Sequence, residues 1–90
     1  MSPRRSRLDI QLDVLNAVRK GVDKPTRIMY AANMSWKPVR KILDSLVDGG
    51  LLSVIENTNG KTVRRRYEIT EKGVSVLTYL EGAKELLTIS

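Results

Sequence analysis

From Leu8 onward the apolar residues Leu8, Ile10, Leu12, Val14, Leu15 and Val18 recur at helical spacing and sweep out a wide arc. Ser6 stands where a helix cap belongs, Asp9 follows in the first turn, and Gly21 is placed as a stop. The pattern predicts a helix over about residues 7–20. Lys24-Pro25 breaks the chain, because the residue before a proline is pushed out of the helical region. Thr26 is then the expected cap of a short second helix, Arg27 to Asn33, with Ile28, Met29, Ala31 and Ala32 as its inward candidates. Asn33-Met34 reads as a turn, since Asn tolerates a left-handed backbone. Ser35 is the expected cap of a third helix from Trp36 to about Asp48, whose residues Val39, Ile42, Leu43, Leu46 and Val47 share one face. Pro38 falls in its first turn, where amides lack an intrahelical acceptor. Gly49-Gly50 ends it.

The period then changes. Leu51 to Glu56 is β-rich, and Asn59-Gly60 is a strong hairpin signal. On the return strand, about Thr62 to Ile69, the residues Val63, Arg65, Tyr67 and Ile69 alternate with Arg64, Arg66 and Glu68. Thr70 is placed to cap a last helix over about residues 71–87. Its stripe Val74, Leu77, Leu80, Ala83 and Leu87 is broadened by Val76, Tyr79 and Leu86, wider than a surface helix needs. The surplus favours a second copy of the chain as partner, with Val76, Leu77, Tyr79, Leu80, Ala83, Leu86 and Leu87 expected at the dimer interface. The predicted class is α+β, mostly α. A flexible basic arm at 1–6 precedes one domain at 7–90.

Composition narrows the chemistry. Ninety residues suit one small domain. With no Cys and no His, the chain has no disulfide, no thiolate or imidazole zinc site and no His-based catalytic dyad or triad. Paired carboxylates such as Asp9 and Asp13 are ordinary on a solvated helix face, and no phosphate-cradling glycine loop is present. The expectation is a binding protein and not an enzyme, with no cofactor, metal or small-molecule ligand. No segment has transmembrane or signal character, so a cytoplasmic, nucleoid-associated location is expected.

The net charge of +6 is unevenly spread. Segments 1–7, 36–41 and 57–67 hold ten of the sixteen cations and no Asp or Glu. Such segments on an otherwise acidic body point to a polyanion. A short helix, a tight turn and a longer helix match a helix-turn-helix, whose second helix meets the major groove through its N-terminal residues. Ser35, Trp36, Lys37, Arg40 and Lys41 occupy those positions. Arg40 suits a guanine edge, and the two lysines suit phosphates. Trp36 is equally suited to packing against the neighbouring helix. Asn59, Lys61, Arg64, Arg65 and Arg66 give the hairpin a polar, cationic tip, with Arg65 on one face and Arg64 and Arg66 on the other. Arg4 and Arg5, with Arg7, form a basic arm that suits either a minor groove or, taken alone, a solubilising tail.

Gly49-Gly50-Leu51-Leu52, followed past the hairpin by Tyr67-Glu68-Ile69-Thr70-Glu71-Lys72-Gly73, resembles the entry and exit of the wing in winged-helix regulators. The stretch from Arg27 to Ser35 is similar to small archaeal winged-helix proteins, which are transcriptional regulators or chromosomal DNA-binding proteins. The resemblance implies a third helix in the major groove, a wing on the DNA backbone and a homodimer through the last helix. At about 17 residues, or ~25 Å, that helix is short for a long coiled coil, so a compact or a weaker dimer is implied. Three functions remain open at this stage: a sequence-specific regulator of transcription, an architectural protein with little base preference, and a protein-interaction module.

Overall fold

The computed structural model describes residues 6–88, in the order α1 (Arg7–Arg19), α2 (Pro25–Ala32), α3 (Trp36–Asp48), β1 (Leu52–Asn59), β2 (Thr62–Ile69) and α4 (Glu71–Thr88). α1 opens with a capping box. The Asp9 amide donates to Ser6 Oγ at 3.1 Å, and the Ser6 amide donates to the Asp9 carboxylate at 3.2 Å. Ser6 is thus part of the fold rather than the end of an arm. Asp9 also accepts from Lys84 Nζ at 2.9 Å, which ties α1 to α4. The bonds from Lys84 and then Ser6 hold the Asp9 carboxyl below its usual range, and the same contact raises the Lys84 ammonium. A second tie runs from Asn16 Nδ2 to Glu81 Oε2 at 2.8 Å.

α2 begins at Pro25, not at Arg27 behind a Thr26 cap. Proline's fixed φ suits the first helical position, and it has no amide to leave unpaired there. The cap position falls on Lys24, without a side-chain bond. Ile28 and Ala32, four residues apart, are fully buried, and Met29 packs beside them. Ala31, expected inside, is exposed, because the buried stripe of so short a helix is narrow. Asn33 closes α2 in the left-handed region, at φ 54° and ψ 50°. Ser35 has the extended backbone of a cap, but its hydroxyl makes no capping bond, contrary to expectation. α3 buries Val39, Ile42, Leu43 and Leu46.

The hairpin pairs Leu52 with Ile69 through to Asn59 with Thr62. The two-residue connection is therefore Gly60-Lys61, one position later than the Asn59-Gly60 signal suggests. Gly60 has φ 66° at the first central position, where a type II′ turn requires glycine. The α1–α2 linker lies along the other edge of β2, with the Tyr67 amide donating to the Asp23 carbonyl at 2.9 Å.

One polar clamp joins the hairpin base to both neighbouring helices. Thr70 Oγ1 donates to the Gly50 carbonyl at 2.7 Å and accepts from the Gly73 amide at 3.0 Å. The Thr70 amide donates to the Leu51 carbonyl at 3.1 Å, and Lys72 Nζ donates to the Gly49 carbonyl at 2.9 Å. Gly73 lies against that turn: a Cβ there would drive into the Leu51 carbonyl oxygen and sit 2.7 Å from Ile69 Cγ1. The Thr-x-Lys-Gly string is thus a structural joint. It lets Leu52 and Tyr67 enter a core whose fully buried members include Leu15, Ile28, Leu43 and Leu77. Leu77 is accordingly removed from the expected dimer interface, because its side chain is sealed inside the protomer's own core.

Candidate nucleic-acid interface

Thirteen residues of α3 form two unlike faces. The aliphatic face fixes the helix in the core, so the opposite side presents Lys37, Arg40, Lys41 and Asp44 to solvent. Trp36 does both of the things its position allows. It packs against the core, and it lines a shallow surface groove with Lys37, Pro38, Arg40 and Lys41. Ser35 is exposed at the start of the helix.

Beyond its base the hairpin projects away from the core. Lys61 and Arg64 are exposed. Two grooves flank the hairpin, and Arg65 lines both. Arg65, with Glu56, Val54 and Tyr67, lines an open groove whose other wall is Arg40, Asp44, Val47 and Asp48 of α3. The opposite groove is lined by Arg64, Arg66 and again Arg65, with Asn57, Val63 and the start of α2 at Lys24, Pro25 and Thr26. Arg40 and Arg65 therefore share one depression, which places the α3 surface and one hairpin face on the same side of the molecule.

The fold sets an acid beside three of the interface arginines, and two of those acids, Glu56 and Asp23, lie outside the basic segments and their helix. Arg40 Nε lies 3.9 Å from Asp44 Oδ2, Arg65 Nε 3.5 Å from Glu56 Oε1, and Arg66 Nε 3.2 Å from Asp23 Oδ2. Glu56 is the register partner of Arg65 across the hairpin. An alternation check across the two strands could have found it. Asp23 could not have been found that way, since only the path of the α1–α2 linker brings it to Arg66. Among the described residues, Lys37, Lys41, Lys61 and Arg64 have no carboxylate within 4.0 Å. Burial pushes the Tyr67 hydroxyl up from its ordinary pKa, while the nearby Arg65 guanidinium pulls it down. Arg4 and Arg5 lie outside the described residues, and of Asn59 only the backbone pairing is described.

Among the described residues no cluster of three or more His, Cys, Asp or Glu is arranged to hold a metal. No described helix is long and apolar enough to cross a membrane.

Residues 4–88 match a family model described as winged helix-turn-helix. An uncharacterized protein of Methanocaldococcus jannaschii is 29% identical over 84 residues, spanning 93% of this chain and 78% of that one. The crystal structure of Sso10a-2, a DNA-binding protein from Sulfolobus solfataricus, superposes with a TM-score of 0.75 at 31% identity, over 91% of this chain and 81% of that one. The crystal structure of smu.1704 from Streptococcus mutans shares the fold at a TM-score of 0.84 and 23% identity, over 99% of this chain and 88% of that one.

Proposed function

The chain belongs to the winged helix-turn-helix family, and from that premise we propose that it binds double-stranded DNA and regulates transcription. The observation that carries this reading is the shared groove. Arg40 of α3 and Arg65 of the wing line one depression, and Lys37, Lys41, Lys61 and Arg64 are exposed with no carboxylate within 4.0 Å among the described residues. In this reading Ser35, Trp36, Lys37, Arg40 and Lys41 enter the major groove, and Arg40 reads a guanine edge. Asn59, Lys61, Arg64, Arg65 and Arg66 follow the phosphate backbone, with Arg4 and Arg5 reaching a minor groove. No catalytic role is assigned to any residue. The likeness to a protein named as DNA-binding supports the same partner.

The functional unit in this reading is a homodimer through α4. Tyr79 and Leu86 are each 75% exposed and Leu87 79%, and Val76, Leu80 and Ala83 are partly covered beside them. A two-fold pair buries this surface and sets two α3 helices for major grooves about 34 Å apart.

Salt titration of random and selected duplexes tests the reading. Lys37, Lys41, Lys61 and Arg64 alone correspond to a slope of log affinity on log salt of about −3.6 for one protomer and about −7 for a dimer. Affinity then falls about 10²-fold or ~10⁴-fold between 50 and 200 mM salt. A flat response refutes the footprint. Arg40→Ala separates regulation from architecture: a regulator loses its preference for selected sites, whereas an architectural protein keeps one affinity for all sequences.

A further inference from the structure

We infer that Glu56 is a brake on DNA affinity, an internal stand-in for phosphate that holds Arg65 off the duplex. The inference rests on the DNA reading above and deepens it.

The three wing arginines are consecutive, yet the structure treats them differently. Arg64 is exposed and has no carboxylate within 4.0 Å among the described residues. Arg65 is half-covered: its side chain is 38% exposed and its Nε lies 3.5 Å from Glu56 Oε1. The pair is built into the sheet, because Glu56 and Arg65 are direct register partners on one face of the hairpin. Directly opposed side chains on a sheet stand about 5 Å apart at Cβ, so neither has to search for the other. Tyr67, two residues along the same face, packs into the core and lines the groove beside them. Across that groove Arg40 lies 3.9 Å from Asp44. The depression between α3 and the wing thus carries its own counter-charges: Asp44, Asp48 and Glu56 against Arg40 and Arg65.

A carboxylate in this place does two things to an approaching duplex. It competes with phosphate for the Arg65 guanidinium, since both anions take the same planar fork of N–H donors. It also repels the phosphate that would displace it. An exposed ion pair is weak, so the brake is partial and phosphate can take Arg65 at low salt. Its effect is to lower the number of phosphates each wing neutralises, and with it the grip on DNA of any sequence.

The test compares duplex binding by the wild type with Glu56→Gln, Glu68→Gln and the double variant Glu56→Gln/Arg65→Gln across a salt series. Glu68 is an exposed wing carboxylate that pairs across the hairpin with Ser53, so Glu68→Gln changes net charge by the same amount. Glu56→Gln is expected to bind random duplex about 3–10-fold more tightly at 100 mM salt, with a slope steeper by about 0.9 per protomer. Glu68→Gln is expected to change affinity less than 2-fold, roughly the screened effect of one distant charge. The double variant is expected to lose the gain. Glu56→Thr, a good strand former, repeats the measurement, and circular dichroism confirms the fold of each variant. If Glu56→Gln only equals Glu68→Gln, or keeps its gain without Arg65, the brake is wrong and the DNA reading stands. If the wild type itself binds no duplex, the DNA reading fails and takes the brake with it.

Discussion

The two ends of α4 are built from similar residues and sit in opposite circumstances. At its start, Gly73 is buried against the Leu51 turn, Lys72 bonds the Gly49 carbonyl, and Leu77 is sealed in the core. Nine residues past Gly73, Gly82 has nothing but its own helix backbone within 4 Å of where a Cβ would stand, and Tyr79 and Leu86 are each 75% exposed. The hydrophobic repeat runs through both halves without a break. An apolar residue at helical spacing marks a side that is to be covered, but not what covers it. The first half is covered by its own domain, whereas the second, tied to α1 through Glu81 and Lys84, leaves Tyr79, Leu86 and Leu87 exposed.

Replacing each glycine by alanine puts that contrast to its sharpest test. Ala is ordinarily the better helix residue by up to ~1 kcal/mol. At Gly73 the sign reverses, because the new methyl meets the Leu51 carbonyl oxygen and Ile69. Gly73→Ala is expected to destabilise by about 3 kcal/mol, a fall in Tm of roughly 12–24 °C. A Tm at or above the wild-type value breaks the claim that this end of the helix is clamped. The next effect belongs to the exposed half. Changing Tyr79 and Leu86 together to Lys is expected to weaken self-association at least 10-fold by sedimentation, while protomer stability moves by about 0.5 kcal/mol or less. A mass unchanged from wild type refutes the dimer face. The smallest effect is at Gly82, where Gly82→Ala is expected to raise stability by about 0.5–1 kcal/mol and Tm by roughly 2–8 °C. A loss of stability there means that something packs closely on that turn.

Local chemistry was legible in the chain to the extent that it is local. Ser6 with Asp9, the left-handed Asn33 and the return strand from Thr62 to Ile69 are settled by residues a few positions apart, and they stand where the pattern puts them. The fold class follows from the same signals. Where two local signals compete, the pattern slips by a residue or two. Pro25 displaces Thr26 as the start of α2, and Gly60-Lys61 displaces Asn59-Gly60 as the turn. What a linear reading does not contain is who stands beside whom. Leu77 looks like its neighbours until α4 is docked, and Arg66 looks unopposed until the linker carries Asp23 to it. The basic face of α3 was readable because that helix's own period separates Lys37, Arg40 and Lys41 from Val39, Ile42 and Leu43.

The two-residue turn at Gly60-Lys61 bears on how this protein can change in length over evolution. The strands beyond Tyr67 leave the core behind, so the hairpin can lengthen there without repacking the domain. Length changes come in quanta, however. Two residues added to each strand between Arg66 and Tyr67 and at the opposing position extend the reach by ~7 Å and leave every arginine on its present side. A single residue added to each strand turns the hairpin over, exchanging Arg65 for Arg64 and Arg66 in the groove beside α3. Relatives that differ in hairpin length by an odd number of residue pairs should therefore show a compensating shift in which positions carry the cations.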